Sequence, residues 1–346
     1  MSSEIVCRAH ARSGLLGNPS DQYEGKTISI GVGNFYAEVK VIPSEKLCFL
    51  SHPIHDRVEF DSMEALGSEI QQLGYYGGVR LLKAICKKFL EYCSSGNIRL
   101  ERKNFTMSYE TNIPRQLGLG GSSAIITAGL NCLLQFYSVK TTIPFSARPG
   151  LILSAESDLG ITAGLQDRVI QVYGGCVFMD FSKDHMESLG RGRYTSLAVD
   201  GLPSLWLMLS RESKDSGEIH KGTKEKWLAG DSRIIEGMQQ IAELAEKGRE
   251  ALEKKDFEAV GRLMDENFYL RRRLYGDAVV GEMTVKMVEM AKSVGAHANN
   301  AGSGGAVVVL CSGGDLQILS LTDLCRKEGF RFVAIEIGPK IYSVSD

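Results

Sequence analysis

The 346-residue sequence has almost no net charge: 40 Lys and Arg side chains stand against 42 Asp and Glu, a formal balance of −2. Without a global basic field it has no means of holding nucleic acid or an anionic membrane by bulk electrostatics, so any anion must be bound locally. It also lacks a CxxC pair. The eight cysteines (Cys7, Cys48, Cys86, Cys93, Cys132, Cys176, Cys311 and Cys325) are scattered, mostly inside apolar runs, and read as reduced, buried small hydrophobes. No apolar run approaches the roughly 20 residues that span a bilayer, and residues 1–8 carry Glu4 and no signal-peptide core. The expectation is a soluble, cytoplasmic protein with neither nucleic acid nor membrane as partner. Internal repeats and low-complexity tracts are absent too. What is present is 43% apolar residues, 24% charged residues and 38 glycines, enough for a large core divided between two domains.

Hydrophobic periodicity outlines the chain. Residues 27–33 and 35–42 are β-branched, aromatic and roughly alternating, which predicts a hairpin turning at Gly33-Asn34. Helices follow near 62–73 and over 77–93, where Leu82, Ile85, Cys86, Phe89, Leu90 and Cys93 repeat at i, i+3, i+4. A strand at 105–110 runs into a Gly/Ser-rich turn and an apolar helix ending near Tyr137. Helices at 148–157 and 163–172 and a strand at 176–180 complete an α/β unit. The polar stretch 182–203 marks a boundary, giving domains 1–201 and 202–346. The second half predicts strands at 205–209, 307–310 and 332–337 and helices at 232–253, 256–275, 282–294 and 315–327, an α+β domain.

Chemistry concentrates in three segments. Pro114 to Ala124, PRQLGLGGSSA, places three glycines and two serines at a strand-to-helix turn. Glycines let backbone approach a ligand closely, and successive free N–H groups at a helix N-terminus attract anions. The loop is either a phosphate cradle or an ordinary glycine turn with a serine cap. The usual GxxxxGK[ST] loop is absent, as is GxGxxG in strand-to-helix context. Residues 299–306, NNAGSGGA, form a second glycine loop, and residues 12–21, RSGLLGNPSD, combine a basic residue, a glycine turn and a carboxylate. Alone, the loop 299–306 reads equally well as a flexible turn, and the segment 12–21 more often as a structural one.

Taken in order, these segments resemble the three signatures of the GHMP kinases, the superfamily of galactokinase, homoserine kinase, mevalonate kinase and phosphomevalonate kinase. The resemblance spans nearly the whole chain. Glu156 and Asp167, eleven residues apart with Gly160 and Gly164 between them, match the separation of metal carboxylate and catalytic aspartate in mevalonate kinase-like members. Within the superfamily the plant-type glucuronokinase subfamily is the nearest resemblance, carried by residues 17–21, 75–82, 111–116, 164–169, 215–217 and 271–273. There are departures. His10 stands where proline is usual, and Asn18-Pro19 replaces the common Glu-His or Glu-Asn. An extra small residue leaves the register of Gly120, Gly121 and Ser122 open by one, with Ser123 before Ala124 as the better anchor.

The resemblance implies an α+β, two-domain GHMP kinase fold, with an N-terminal domain like ribosomal protein S5 domain 2 and a ferredoxin-like C-terminal domain. It implies transfer of the ATP γ-phosphate to the anomeric hydroxyl of D-glucuronate, with Mg²⁺ as cofactor and ATP and a sugar acid as small-molecule partners. It assigns ATP to Pro114, Gly118, Leu119, Gly120, Gly121, Ser122 and Ser123, and the metal to Ser123 and Glu156. Asp167 is then the base and Arg12 its cationic partner. The sugar falls to Asp21, Arg12, Asp167, Gly302, Ser303 and Gly304, with Arg115, Arg168 and Arg271–Arg273 open as partners of its carboxylate. Two rivals stay in view: a kinase of the same fold for galacturonate, arabinose or galactose, and a sensor that binds without transfer.

Overall fold

The computed structural model describes residues 4–73, 75, 77–210 and 217–343; Tyr76, Asp215 and Ser216, singled out in the sequence, lie outside them. In chain order the elements are β1 (Ile5–Leu16), β2 (Lys26–Ser44), β3 (Cys48–Phe49), α1 (Met63–Leu73), α2 (Gly78–Ser95), β4 (Asn104–Thr111), α3 (Gly121–Phe136), α4 (Arg148–Asp158), α5 (Gln166–Tyr173), β5 (Cys176–Asp180), α6 (Lys183–Leu189) and β6 (Arg193–Ser196). There follow β7 (Ser204–Leu209), α7 (Gly217–Leu228), α8 (Ser232–Glu253), α9 (Phe257–Tyr275), α10 (Asp277–Val280), α11 (Glu282–Ser293), β8 (His297–Asn300), β9 (Ala306–Cys311), α12 (Gly314–Glu328) and β10 (Arg331–Ala334). Two compact units emerge that do not follow chain order. One comprises Met1–Ala9, Tyr36–Asn112 and Ser122–Ile161, and the other His10–Phe35, Ile113–Gly121 and Thr162–Asp346.

In the first unit the C-terminal part of β2 pairs antiparallel with β4, Ala37 opposite Thr111 through Ser44 opposite Asn104, and β3 joins β4 in parallel. The period-2 pattern of β4 buries Phe105, Met107 and Tyr109. The predicted stripe of α2 is buried at Leu82, Ile85, Phe89 and Cys93, while Leu90 stays exposed. Gly129 of α3 faces Leu82 and Ile85, and a Cβ there would lie 3.1 and 3.3 Å from them, so the glycine sets how closely α3 packs on α2.

In the second unit the N-terminal part of β2 pairs with β5, and β5 with β6. A four-stranded antiparallel sheet in the order β10-β7-β9-β8 carries the other core, in which Met208, Val307 and Val309 pack against Phe268, Met287, Val288 and Leu321. The helices α8 and α9 begin at Asp231 and Asp256, whose carboxylates accept from Ile234 N and Ala259 N, the N-cap arrangement.

Several expectations need correction. Gly33-Asn34 is not a turn, because β2 runs unbroken through it. Gly33 N donates to Glu336 O at 2.6 Å, and a Cβ on Gly33 would meet Gly338 Cα at 3.2 Å, so the glycine marks a close backbone approach. Residues 12–16, read as part of a turn, are the end of β1. The helix expected from 163 starts at Gln166, whose N–H is met by the carboxylate of Asp21, a start signal 145 positions away in the chain. The polar stretch 182–203 contains α6 and β6; Tyr194 is the one buried residue of the four in β6, too little periodicity to read.

Candidate functional site

Arg12, near the end of β1, is the hub of the second unit. Its Nε donates to Asp167 Oδ1 at 2.6 Å and its Nη2 to Asp167 Oδ2 at 2.8 Å, a bidentate charge-assisted pair at the first turn of α5. Its Nη1 donates to Gly118 O at 2.5 Å and to Ala301 O at 2.9 Å. Four of the five guanidinium N–H groups are thereby engaged. One buried cation fixes the expected base and both glycine loops at once, and its own backbone N–H donates to Leu119 O at 3.0 Å. Arg168, also buried, donates to Gly164 O at 2.8 Å and lies 3.7 Å from Asp167 Oδ2.

The loops themselves meet in backbone-to-backbone contact. Gly118 and Gly120 adopt φ of +66° and +73°, a region L side chains rarely adopt. A Cβ on Gly118 would lie 2.7 Å from Ser303 N and 3.1 Å from Gly304 N, and one on Gly302 would lie 2.0 Å from Gly118 O. On Gly120 it would lie 3.2 Å from Arg12 Cγ and 3.3 Å from Asp167 Oδ2. These glycines are where they are because there is no room for anything larger. Within this unit the structure brings together Arg12, Asp167, Gly118, Gly120, Gly302, Ser303 and Gly304. Leu119 is buried, and Pro114 is half-buried.

Asp21 adjoins this group. Its Oδ2 accepts from Gln166 N at 3.3 Å and occupies the space a Cβ on Gly164 would need, 1.9 Å away. Burial pushes its carboxyl up to about 6, with the negative charge of Asp167 acting the same way; the Gln166 N–H and the charges of Arg168 and Arg12 pull against that.

The first unit holds the other predicted residues. Glu156 is completely buried in the last turn of α4 and accepts from Ser122 Oγ at 2.8 Å. Ser123 is likewise fully buried, one residue further into α3. A buried carboxylate beside a serine hydroxyl is a hard-oxygen donor set, too small to form a complete cage. That suits Mg²⁺, which keeps waters and shares phosphate oxygens. Ser122, one residue before the expected Ser123, places its hydroxyl on Glu156. Gly121 opens α3, so the loop 114–120 leads directly into the helix carrying both serines.

Sequence reasoning missed three contributors in the second unit, Gln171, Asn267 and Gln166, and left Arg271 undistinguished within the run 271–273. Gln171, buried on α5, donates from Nε2 to Gly120 O at 2.8 Å. Asn267, fully buried on α9, accepts from Gly17 N at 2.7 Å and donates to Asn18 O at 3.3 Å, which fixes the turn after β1. One helical turn on, Arg271 donates to Gly302 O at 2.9 Å. Gln166 is buried with its backbone on Asp21. The apolar stripe Val260, Met264 and Phe268 carries the signal for α9, since positions 267 and 271 fall on the same buried face. Arg272 and Arg273 do not join the group; Arg272 pairs with Asp277 at 2.6 Å and Arg273 is exposed. Arg115 is half-buried.

The chain belongs to the GHMP kinase family: residues 80–175 match the GHMP kinases N terminal domain and residues 249–320 the GHMP kinases C terminal region. Over 345 residues, 100% of this chain and 95% of the relative, it is 52% identical to Glucuronokinase 1 of Arabidopsis thaliana. It is also 52% identical to Probable glucuronokinase 2 of the same plant, over 98% of this chain and 93% of that one. The fold matches the crystal structure of Lactococcus lactis galactokinase complexed with galactose at a TM-score of 0.73 and 15% identity, covering 98% of this chain and 95% of that one. Among the described residues no helix is long and apolar enough to cross a membrane.

Proposed function

We propose that the chain transfers the γ-phosphoryl group of ATP to the anomeric hydroxyl of D-glucuronate, giving D-glucuronate 1-phosphate and ADP. The observation that carries the substrate is the full-length 52% identity to a glucuronokinase. Phosphoryl transfer asks the protein for placement and charge stabilisation more than for covalent work. Backbone N–H groups of Gly118 to Ser122, in the loop opened by Pro114 and followed by the N-terminus of α3, receive the ATP phosphates. Ser123 and Glu156 would hold Mg²⁺, and the 2.8 Å contact of Ser122 on Glu156 supports adding that serine. When bound, the metal would supply positive charge to offset that of the phosphates.

Asp167 accepts the proton of the anomeric hydroxyl. A carboxylate has about four acceptor positions, and Arg12 takes two of them, one on each oxygen, thereby orienting the base. With four of its N–H groups engaged, Arg12 serves chiefly to position Asp167 and the two loops, and its charge favours the developing phosphoryl charge nearby. Asp21 and the loop Gly302, Ser303 and Gly304 hold sugar hydroxyls. We assign residues 1–201 to the ATP-binding and catalytic half and 202–346 to the C-terminal half. Eight cysteines kept as thiols suit a cytoplasmic enzyme, one whose product feeds UDP-glucuronate synthesis.

The test is ADP release with MgATP against D-glucuronate, D-galacturonate, D-galactose, L-arabinose and mevalonate. Selective turnover of D-glucuronate is expected. Selective turnover of another sugar would discard the substrate, and ATP binding without any turnover would replace the kinase with a sensor.

A further inference from the structure

D-glucuronate differs from D-glucose only in carrying a carboxylate on C5 where glucose has a hydroxymethyl group. A kinase that selects it needs a cation with donors to spare, in a partly dry place, one sugar ring away from the base. Three arginines of the second unit are buried near Asp21 and Asp167: Arg12, Arg168 and Arg271. Arg12 is consumed by Asp167 and two loop carbonyls. Arg168 is held on Gly164 O and leans on Asp167.

Arg271 differs from both. It is 3% exposed, yet its one hydrogen bond among the described residues runs from Nη1 to Gly302 O, and its guanidinium stands 5.8 Å from the ring centroid of Tyr275. No carboxylate of the described residues lies within ion-pair distance of it. Buried charges are normally paired, because an uncompensated one is strongly destabilising. Arginine stays protonated even where, as here, burial weakens its hold on the proton, so the fold encloses a cation short of an anion. A second observation points the same way. The hydroxyls of Tyr23 and Tyr275 are buried beside each other, with no hydrogen-bond partner of good geometry among the described residues. Burial pushes both phenols up, so they remain neutral donors. The two tyrosines and Asp21 bear on Arg271 electrostatically. Lys224, the other cation here, is engaged with Gln22 O and lies over the rings of Tyr23 and Trp227.

Resting on the glucuronate reading above, we propose that Arg271, with the hydroxyls of Tyr23 and Tyr275, receives the carboxylate of the sugar acid and thereby sets specificity for a uronate over a neutral hexose. The position suits the ring. Arg271 and Arg12 both abut Gly302, and Arg12 carries Asp167, so a hexuronate with its anomeric hydroxyl on Asp167 directs its C5 substituent toward the neighbouring cation. The unmet donors of Arg271 and both tyrosines then find acceptors in one carboxylate.

The test compares kcat/KM for D-glucuronate and D-glucose in wild type, Arg271→Gln, and the double variant Tyr23→Phe/Tyr275→Phe. The glucuronate-to-glucose preference should fall about 10²-fold in Arg271→Gln, the effect of removing one partner of a desolvated charge pair. It should fall about tenfold in the double variant, which keeps both rings and therefore carries the test if Arg271→Gln fails to fold. Arg272→Gln, which releases surface pairs with Asp277 and Glu289, should keep the wild-type preference. A preference within about twofold of wild type in the folded variants overturns the assignment and leaves the proposed function standing. A wild-type enzyme that turns over neutral sugars and not glucuronate overturns both.

Discussion

Gly302→Ala is the sharpest mechanical test of how the glycine loops are held. The substitution adds one methyl group at a residue whose φ is outside the left-handed region, so backbone conformation is no obstacle and only space is. The new Cβ would fall 2.0 Å from Gly118 O, 2.9 Å from Gly118 C and 2.5 Å from Arg12 Nη1. Ordinary contacts of this kind begin above 3 Å, so the loops must part by roughly 1 Å or more. Two of the three atoms struck are backbone, and the third is a guanidinium nitrogen tied to Gly118 O and Ala301 O. Overpacking of this sort and the loss of one charge-assisted hydrogen bond together cost about 2–4 kcal/mol. Because Arg12 also orients Asp167, the displacement should lower kcat by about 10²-fold, the penalty of misplacing a reacting group by 1 Å. Thermal melting and steady-state kinetics read the two effects. Gly150→Ala is the control: that glycine lies in α4 with nothing within 4 Å of a Cβ, so the variant should be neutral or gain up to about 1 kcal/mol. A Gly302→Ala enzyme with wild-type melting and wild-type kcat would refute the reasoning.

Further outcomes follow from the other assignments. Asp167→Asn should lower kcat by about 10²–10⁴-fold while leaving ATP binding intact by calorimetry, because a positioned general base is worth that much. Glu156→Gln should raise the Mg²⁺ concentration needed for half-maximal turnover, and Ser122→Ala should do so by less; a titration that overlays wild type removes the metal assignment. Asp21, held up at about 6, is ionised only above that pH, so kcat/KM for the sugar should fall as pH drops through about 6, and Asp21→Asn should remove that inflection. Its sign for stability is the reverse of an ordinary salt-bridged carboxylate. The folded value lies above the unfolded value of 3.8, so the group costs stability as pH rises from about 4 past 6, and Asp21→Asn should melt higher than wild type at pH 8.

Most helices were legible because their apolar stripes are long. The 232–253 helix matches α8 residue for residue, and α2 and α9 begin one residue from the predicted start. The errors share a cause, namely contacts distant in sequence. Gly33 looks like turn chemistry until Glu336 and Gly338 are seen against it. The start of α5 is set by Asp21, which no local pattern near Gln166 reveals. Among site residues, the glycine loops were readable because close backbone approach excludes every other residue type. The roles of Arg12 and Glu156 came with the family pattern. Arg271 was hidden in a run of three arginines that look alike in sequence; only its place three residues after Phe268 and four after Asn267 turns it inward while its neighbours face out.

The central claim is transfer to the anomeric oxygen of a uronic acid, and the identity of the product tests it most directly. Wild-type enzyme, MgATP and D-glucuronate should give, by phosphorus NMR, one new phosphate ester whose phosphorus couples to the anomeric proton, in step with ADP. An ester on any other hydroxyl, or ADP formed without a sugar phosphate, would contradict the account.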